Sequence, residues 1–150
     1  MAHSYVACNV HCVFSTKNRA NLIYKDVRPR LFAYMGGIAR ENGIRALRVG
    51  GTDNHAHLLL VIPATMPIAK GVQLLKAGSS KWLSETFPQC MSFSWQEGYG
   101  AFSVSASAVP SVSDYIARQD EHHKARTFED EYLELLRRHG IEYDDAYVFG

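Results

Sequence analysis

The chain has 150 residues, 47% hydrophobic and 21% charged, with a formal net charge of +1, which is enough for a single domain spanning 1–150 with a core that needs no disulfide staples. The near-neutral balance excludes binding to a polyanion through overall charge, leaving local basic patches as the route to nucleic acid. No run approaches the roughly 20 apolar residues of a membrane helix, and no signal peptide pattern opens the chain. The three cysteines form neither a disulfide framework nor a Cys-x-x-Cys pair. A cytoplasmic location away from membranes is expected.

Residues 4–15 alternate: Val6, Cys8, Val10, Cys12 and Phe14 share one face, with Tyr5, Asn9, His11 and Ser15 on the other, which predicts a first strand. The loop that follows carries Lys17 and Arg19. Asp26 is placed to cap a first helix, with Pro29 in its first turn and Gly43 at its end. Gly36-Gly37 weakens that helix by roughly 2 kcal/mol against alanines and is read as permitting close packing on the sheet. Residues 44–49 predict a second strand, and the turn at residues 50–54 leads into a third, Asp53 to Ile62, bounded by Pro63. Thr65 and Pro67 open a second helix with a buried stripe of Ile68, Val72, Leu75, Trp82 and Leu83, ended by Phe87-Pro88. Residues 93–105 predict a fourth strand bent at Gly98-Tyr99-Gly100, and the small residues 105–110 a flexible connector. A third helix begins at Ser111, with Asp114 placed as in a capping box. A fourth begins at Thr127 and runs through Phe128, Tyr132, Leu135 and Leu136 to Gly140.

The order β-α-β-β-α-β followed by two helices predicts an α+β fold with a ferredoxin-like split βαβ sheet. Strands 1 and 3 are then central neighbours, and the first two helices cover one face. Ala56, Leu58, Leu60 and Ile62 point into that core, while His55 and His57 lie on the opposite face with Leu59 and Val61. The third helix or a partner subunit must cover those two apolar side chains. Asn9 and His11 border the same face.

His55 and His57, about 7 Å apart on one face of a strand, can converge on one metal ion from a rigid platform. The third helix adds to this pair, because Tyr115 and Gln119 share a face, with His122 and His123 continuing it. Its apolar stripe is thin for a core helix, so it is read as presenting a phenol and an amide to the histidines. Ionising a phenol at pH 7 costs about 4 kcal/mol; a divalent cation eases this and polarises a phosphoryl oxygen. Two imidazoles and an amide oxygen with open positions suit Mg²⁺ or Mn²⁺ held jointly with substrate oxygens, although imidazole alone prefers zinc.

His55-Ala56-His57 at the head of an apolar strand, followed by Tyr115-x-x-x-Gln119 on a late helix, resembles the single-tyrosine HUH transposases of bacterial insertion sequences, the IS200-like transposases. The likeness extends over Thr16-Lys17-Asn18-Arg19, the helix carrying Leu75-Lys76, Ser79-Ser80 and Trp82, the run Trp95-Gln96-Glu97-Gly98-Tyr99-Gly100, and Tyr115 to His123. It departs at Ala56, where larger apolar residues are usual. The resemblance implies a DNA endonuclease and strand transferase that acts on single-stranded DNA with hairpins at element ends and needs no ATP. Tyr115 would attack the scissile phosphate, leaving a 5′-phosphotyrosine and a free 3′-hydroxyl, with His55, His57 and Gln119 holding the metal. Members of that family are homodimers whose tyrosine helix can complete the partner's site. Candidate DNA contacts are Asn9, His11, Lys17, Arg19, Lys70, Lys76 and Lys81.

Two other readings compete. A non-catalytic binding module of ferredoxin-like fold would carry single strands on exposed aromatics, but Tyr5 is the one aromatic expected on that face of strands 1 and 3. A zinc hydrolase built on His55, His57 and His11 leaves Tyr115 and Gln119 without a role.

Overall fold

A computed structural model describes residues 3–150. Four antiparallel strands form one sheet in the order β2-β3-β1-β4: β1 Asn9–Ser15, β2 Arg45–Gly51, β3 His55–Val61 and β4 Gly100–Ser103. Helices α1 (Arg28–Glu41) and α2 (Ile68–Thr86) pack on each other. They cover a core containing Val10, Cys12, Phe14, Leu31, Met35, Ala56, Leu58, Leu60, Val72 and Leu75. This is the α+β, split βαβ sheet expected from the alternation. β1 and β3 pair in register, Val13 opposite His57 and Ser15 opposite His55. The period-2 rule therefore sends the histidines to the face away from α1 and α2.

That second face is covered by the rest of the chain. Helix α3 (Val109–Ala117) lies over β2 and β3, and Leu59 beneath it is fully buried. Helix α4 (Gln119–His122) follows after a break at Arg118. Helix α5 (Phe128–Arg138) closes a second, smaller core of Val13, Phe102, Phe128, Tyr132, Leu135 and Leu136. α5 begins as expected, with the Thr127 hydroxyl accepting from the Asp130 amide at 3.2 Å, and Gly140, at φ 66°, follows its end.

Several local expectations are corrected. β1 starts at Asn9, and Tyr5 is 93% exposed. Asp26 does not cap α1, which is preceded by a helical Val27 without a side-chain cap. A Cβ at Gly36 or Gly37 would meet nothing within 4 Å, so the pair permits no close packing. The small residues before α3 form a short turn, Ala106–Ala108, that runs straight into the helix. The helix starts at Val109 with no side-chain cap, so Ser111 and Asp114 form no capping box. The fourth strand is the largest difference, being confined to Gly100–Ser103, with a single bridge between Thr16 and Trp95 upstream. Residues 95–98 have found other partners. The Trp95 indole N–H donates to Ser79 Oγ at 3.0 Å, and Gln96 Oε1 accepts from the Ser15 amide at 2.7 Å. The Gly98 amide donates to the Gly150 carbonyl at 2.9 Å. The Lys76 ammonium donates to the carbonyls of Gln96, Glu97 and Gly98 at 2.5, 3.0 and 3.0 Å. Backbone groups satisfied this way have no need of a strand neighbour.

Candidate metal centre and tyrosine site

His55 and His57 are fully buried, and so is Glu131 on α5. His55 Nδ1 faces Asn54 Oδ1 at 2.8 Å and Thr52 Oγ1 at 3.0 Å; donating to the amide oxygen fixes the proton on Nδ1 and turns the Nε2 lone pair inward. His123, just after α4, is oriented the same way by the Arg126 carbonyl, 3.0 Å from its Nδ1. His57 Nδ1 lies 2.8 Å from His11 Nε2 behind it. Three Nε2 atoms thus converge on two oxygens. Gln119 Oε1 is 2.9 Å from His55 and 3.1 Å from His123. Glu131 Oε1 is 3.0 Å from His57, 3.1 Å from His123 and 3.5 Å from His55.

The ligand atoms of His55, His57, His123 and Glu131 all lie within 4.8 Å of one another. A tetrahedral cation with bonds of about 2.1 Å places its donors about 3.4 Å apart, so the group fits a divalent cation with little rearrangement. The electrostatics agree. Burial, reinforced by His57, holds His55 down at about 3, so at neutral pH no proton competes for its lone pair. Burial opposes ionisation of Glu131, but His57, His123 and His55 outweigh it and keep the carboxyl well below the usual range. The result is an anionic carboxylate oxygen beside the unprotonated His55 ring.

Tyr115 projects from α3 beside this group and donates its hydroxyl proton to Glu131 Oε2. Arg126 Nη2 approaches the same hydroxyl at 3.3 Å, and the His122 ring stacks on the phenol at 4.4 Å. Burial, then the Glu131 carboxylate, push the phenol up to about 12, so without a cation it stays protonated. α3 reaches this position because β2 offers Gly50 beneath it: a Cβ there would lie 2.7 Å from the Ile116 carbonyl oxygen.

His55, His57, Tyr115 and Gln119 therefore meet in one chain. His11 sits behind His57 with 5% of its surface exposed, outside the ring of converging donors. Asn9 heads β1, its carbonyl accepting from the Val104 amide at 2.9 Å. Lys17, Lys70 and Lys81 are exposed. Arg19 lies 3.6 Å from Glu129 and over the Phe149 ring. Lys76 has its amine committed to three carbonyls above the Phe14 ring, at 5.5 Å, so it serves as an internal tie.

Glu131 and Arg126 are absent from the sequence expectations, and His123 enters them only as a neighbour of Gln119. A signal for Glu131 exists. It lies three residues after Phe128 and four before Leu135, inside the apolar stripe of α5, and a carboxylate there has no solvent to face.

The model of the family described as "Transposase IS200 like" matches residues 4–119. The chain is similar to the ISDra2 transposase TnpA of Deinococcus radiodurans, 24% identical over 116 residues that cover 74% of this chain and 83% of that protein. It also shares its fold with a crystal structure of a protein designated a transposase from Deinococcus radiodurans R1. That match has a TM-score of 0.63 at 24% identity and covers 79% of this chain and 96% of that one. A REP-associated tyrosine transposase bound to a REP hairpin matches with a TM-score of 0.60 at 11% identity, covering 82% of this chain and 73% of that one. With more than two thirds of its length matched by the family model and the sheet, histidine pair and late tyrosine helix in place, the chain belongs to the IS200-like transposases.

Proposed function

We propose that the chain cleaves and rejoins single-stranded DNA at hairpin-bearing element ends, with Tyr115 as nucleophile and a divalent cation held by His55, His57 and Gln119, joined by His123 and Glu131. The observation that carries this is the convergence of three imidazole nitrogens and two oxygens beside the Tyr115 hydroxyl. When bound there, the cation supplies Lewis acidity toward a phosphoryl oxygen. The three imidazoles favour Mn²⁺ over Mg²⁺. In the step itself Tyr115 gives up its proton and its oxygen forms a bond to phosphorus. The P–O3′ bond breaks, and the leaving oxygen takes a proton to become a 3′-hydroxyl. One phosphodiester replaces another, so the step reverses without an energy source. His122 and Arg126 orient the phenol. Within this reading the site needs residues of one chain only, and a homodimer would serve to hold two DNA ends. Arg19, Arg28, Lys124 and Arg126 border a cleft of about 830 Å³ beside His123 and are the nearest candidates for phosphate contacts, with Lys17, Lys70 and Lys81 further out.

The test is incubation with single-stranded hairpin DNA and Mn²⁺, followed by denaturing electrophoresis. A covalent adduct is expected from the wild type and none from Tyr115→Phe. His57→Ala should abolish cleavage while hairpin binding persists. An adduct surviving in Tyr115→Phe removes that residue as nucleophile.

A further inference from the structure

A cavity of about 400 Å³ opens beside Tyr115 between the end of β4, α3 and α5. Its volume lies in the small-ligand range of about 300–1,000 Å³, which suits one nucleotide and excludes a duplex. Tyr115 lies in its wall, whereas the cleft beside His123 does not include Tyr115 in its lining. Elsewhere around the phenol, His122 stacks on the ring, and Glu131 lies with the histidines on the metal side. A phosphodiester attacked by Tyr115 carries a nucleoside on each side, and this cavity is the adjoining space that can receive one.

Its lining has the matching chemistry. The His139 ring stacks on the buried Phe102 ring at 4.6 Å and is itself exposed. Its Nδ1 is held by the Leu135 carbonyl at 2.8 Å, so the stack ends on a fixed imidazole face. Arg126, which also lines the cleft beside His123, contacts Glu134, and Arg138 approaches the same carboxylate at 4.0 Å. Two guanidiniums thus share a single carboxylate, leaving positive charge for a phosphate. An aromatic platform flanked by arginines is how single-stranded nucleic acid is held. Arg126, Glu134, Leu135, Arg138 and His139 all lie beyond the 4–119 segment that matches the family.

We propose that this cavity is a nucleotide subsite. It takes the base adjoining the scissile phosphodiester out of the single strand and stacks it on His139, while Arg126 and Arg138 neutralise the neighbouring backbone. α5 thereby becomes a specificity-determining element for the cleavage position. The proposal rests on the single-strand cleavage reading above.

The probe is a synthetic DNA hairpin with short randomised single-stranded flanks. Sequencing the strands that form adducts with wild-type protein and Mn²⁺ locates the cut, and abasic nucleotides are then placed singly on either side of it. One abasic position should lower wild-type adduct formation about 10-fold, the scale of one lost base stack. Val112→Trp, which fills the cavity from α3, should cut adduct yield on intact DNA by at least as much without weakening hairpin binding. The same abasic nucleotide should restore its yield. Indifference of the wild type to abasic nucleotides on both sides overturns the subsite alone, and so does full activity of Val112→Trp on intact DNA. Where Val112→Trp fails to fold, the abasic series with His139→Ala decides, because loss of the platform should erase the wild-type preference. No adduct from wild-type protein on any flank removes the cleavage reading and the subsite together.

Discussion

Lys76→Met separates an internal tie from a DNA contact. Methionine keeps the length and packing of the side chain while deleting the ammonium, which donates to the carbonyls of Gln96, Glu97 and Gly98 at 2.5, 3.0 and 3.0 Å. Hydrogen bonds from a charged donor contribute about 1.5–3 kcal/mol each when well buried. Lys76 is about half buried, and burial already lowers its pKa, so a discounted value of about 1 kcal/mol per bond is appropriate. Loss of the cation from above the Phe14 ring, 5.5 Å away, adds about 0.5 kcal/mol. The sum, about 3.5 kcal/mol, corresponds to a fall in Tm of about 7–14 °C for a chain of this size. Thermal unfolding followed by circular dichroism reads this directly. Hairpin affinity measured on the folded variant should stay within about threefold, with an unchanged salt slope. A Tm close to wild type, combined with a salt slope reduced by about one, would refute the tie and make Lys76 a phosphate contact.

Three further outcomes follow from the site. Gly50→Ala puts a Cβ 2.7 Å from the Ile116 carbonyl oxygen. It should cost about 1–3 kcal/mol and reduce Tyr115 adduct formation by at least 10-fold as α3 shifts. Gly36→Ala, whose Cβ meets nothing, should instead stabilise by about 1 kcal/mol; equal effects of the two would sink the docking argument. Glu131→Gln keeps shape but removes the anionic donor, so Mn²⁺ affinity by calorimetry should fall at least about 10-fold. The Tyr115 phenol, relieved of a negative neighbour, should titrate lower than about 12; unchanged affinity would exclude Glu131 as a ligand. In metal-free protein, burial and then His57 hold both His11 and His55 at about 3. Their unfolded values are about 6.5, so between these limits the unfolded chain binds more protons and stability rises with pH. The urea midpoint in EDTA should therefore drop as pH falls below about 6.5. The scale at pH 5 is about 2 kcal/mol per histidine, and the depressed Glu131 carboxyl adds to the loss below about pH 4.5. A midpoint unchanged from pH 7 to pH 5 would mean that these rings do not stay neutral in the fold.

Alternation along β1 and β3 was enough to place Ala56, Leu58 and Leu60 in the main core and His55 and His57 on the other face, because side-chain direction on a strand is local geometry. The same holds for the i, i+4 relation of Tyr115 to Gln119 and for the Thr127 cap. What lay outside local reach depended on partners far along the chain. Whether residues 93–99 form a strand turned on Lys76, Ser15, Ser79 and Gly150, which satisfy that backbone or anchor its side chains, and periodicity records none of them. The connector before α3 looked flexible because its residues are small, yet it is a single turn whose helix is seated on Gly50. Above all, Glu131 joins the histidine pair because α5 packs Phe128, Tyr132 and Leu135 onto Val13 and Phe102, and His123 joins it from the end of α4, held by the Arg126 carbonyl. The sequence by itself determined the platform, the nucleophile candidate and the amide. The tertiary structure decided that a carboxylate and a third imidazole lie beside them, because burying the apolar stripe of α5 carries Glu131 into the candidate metal centre.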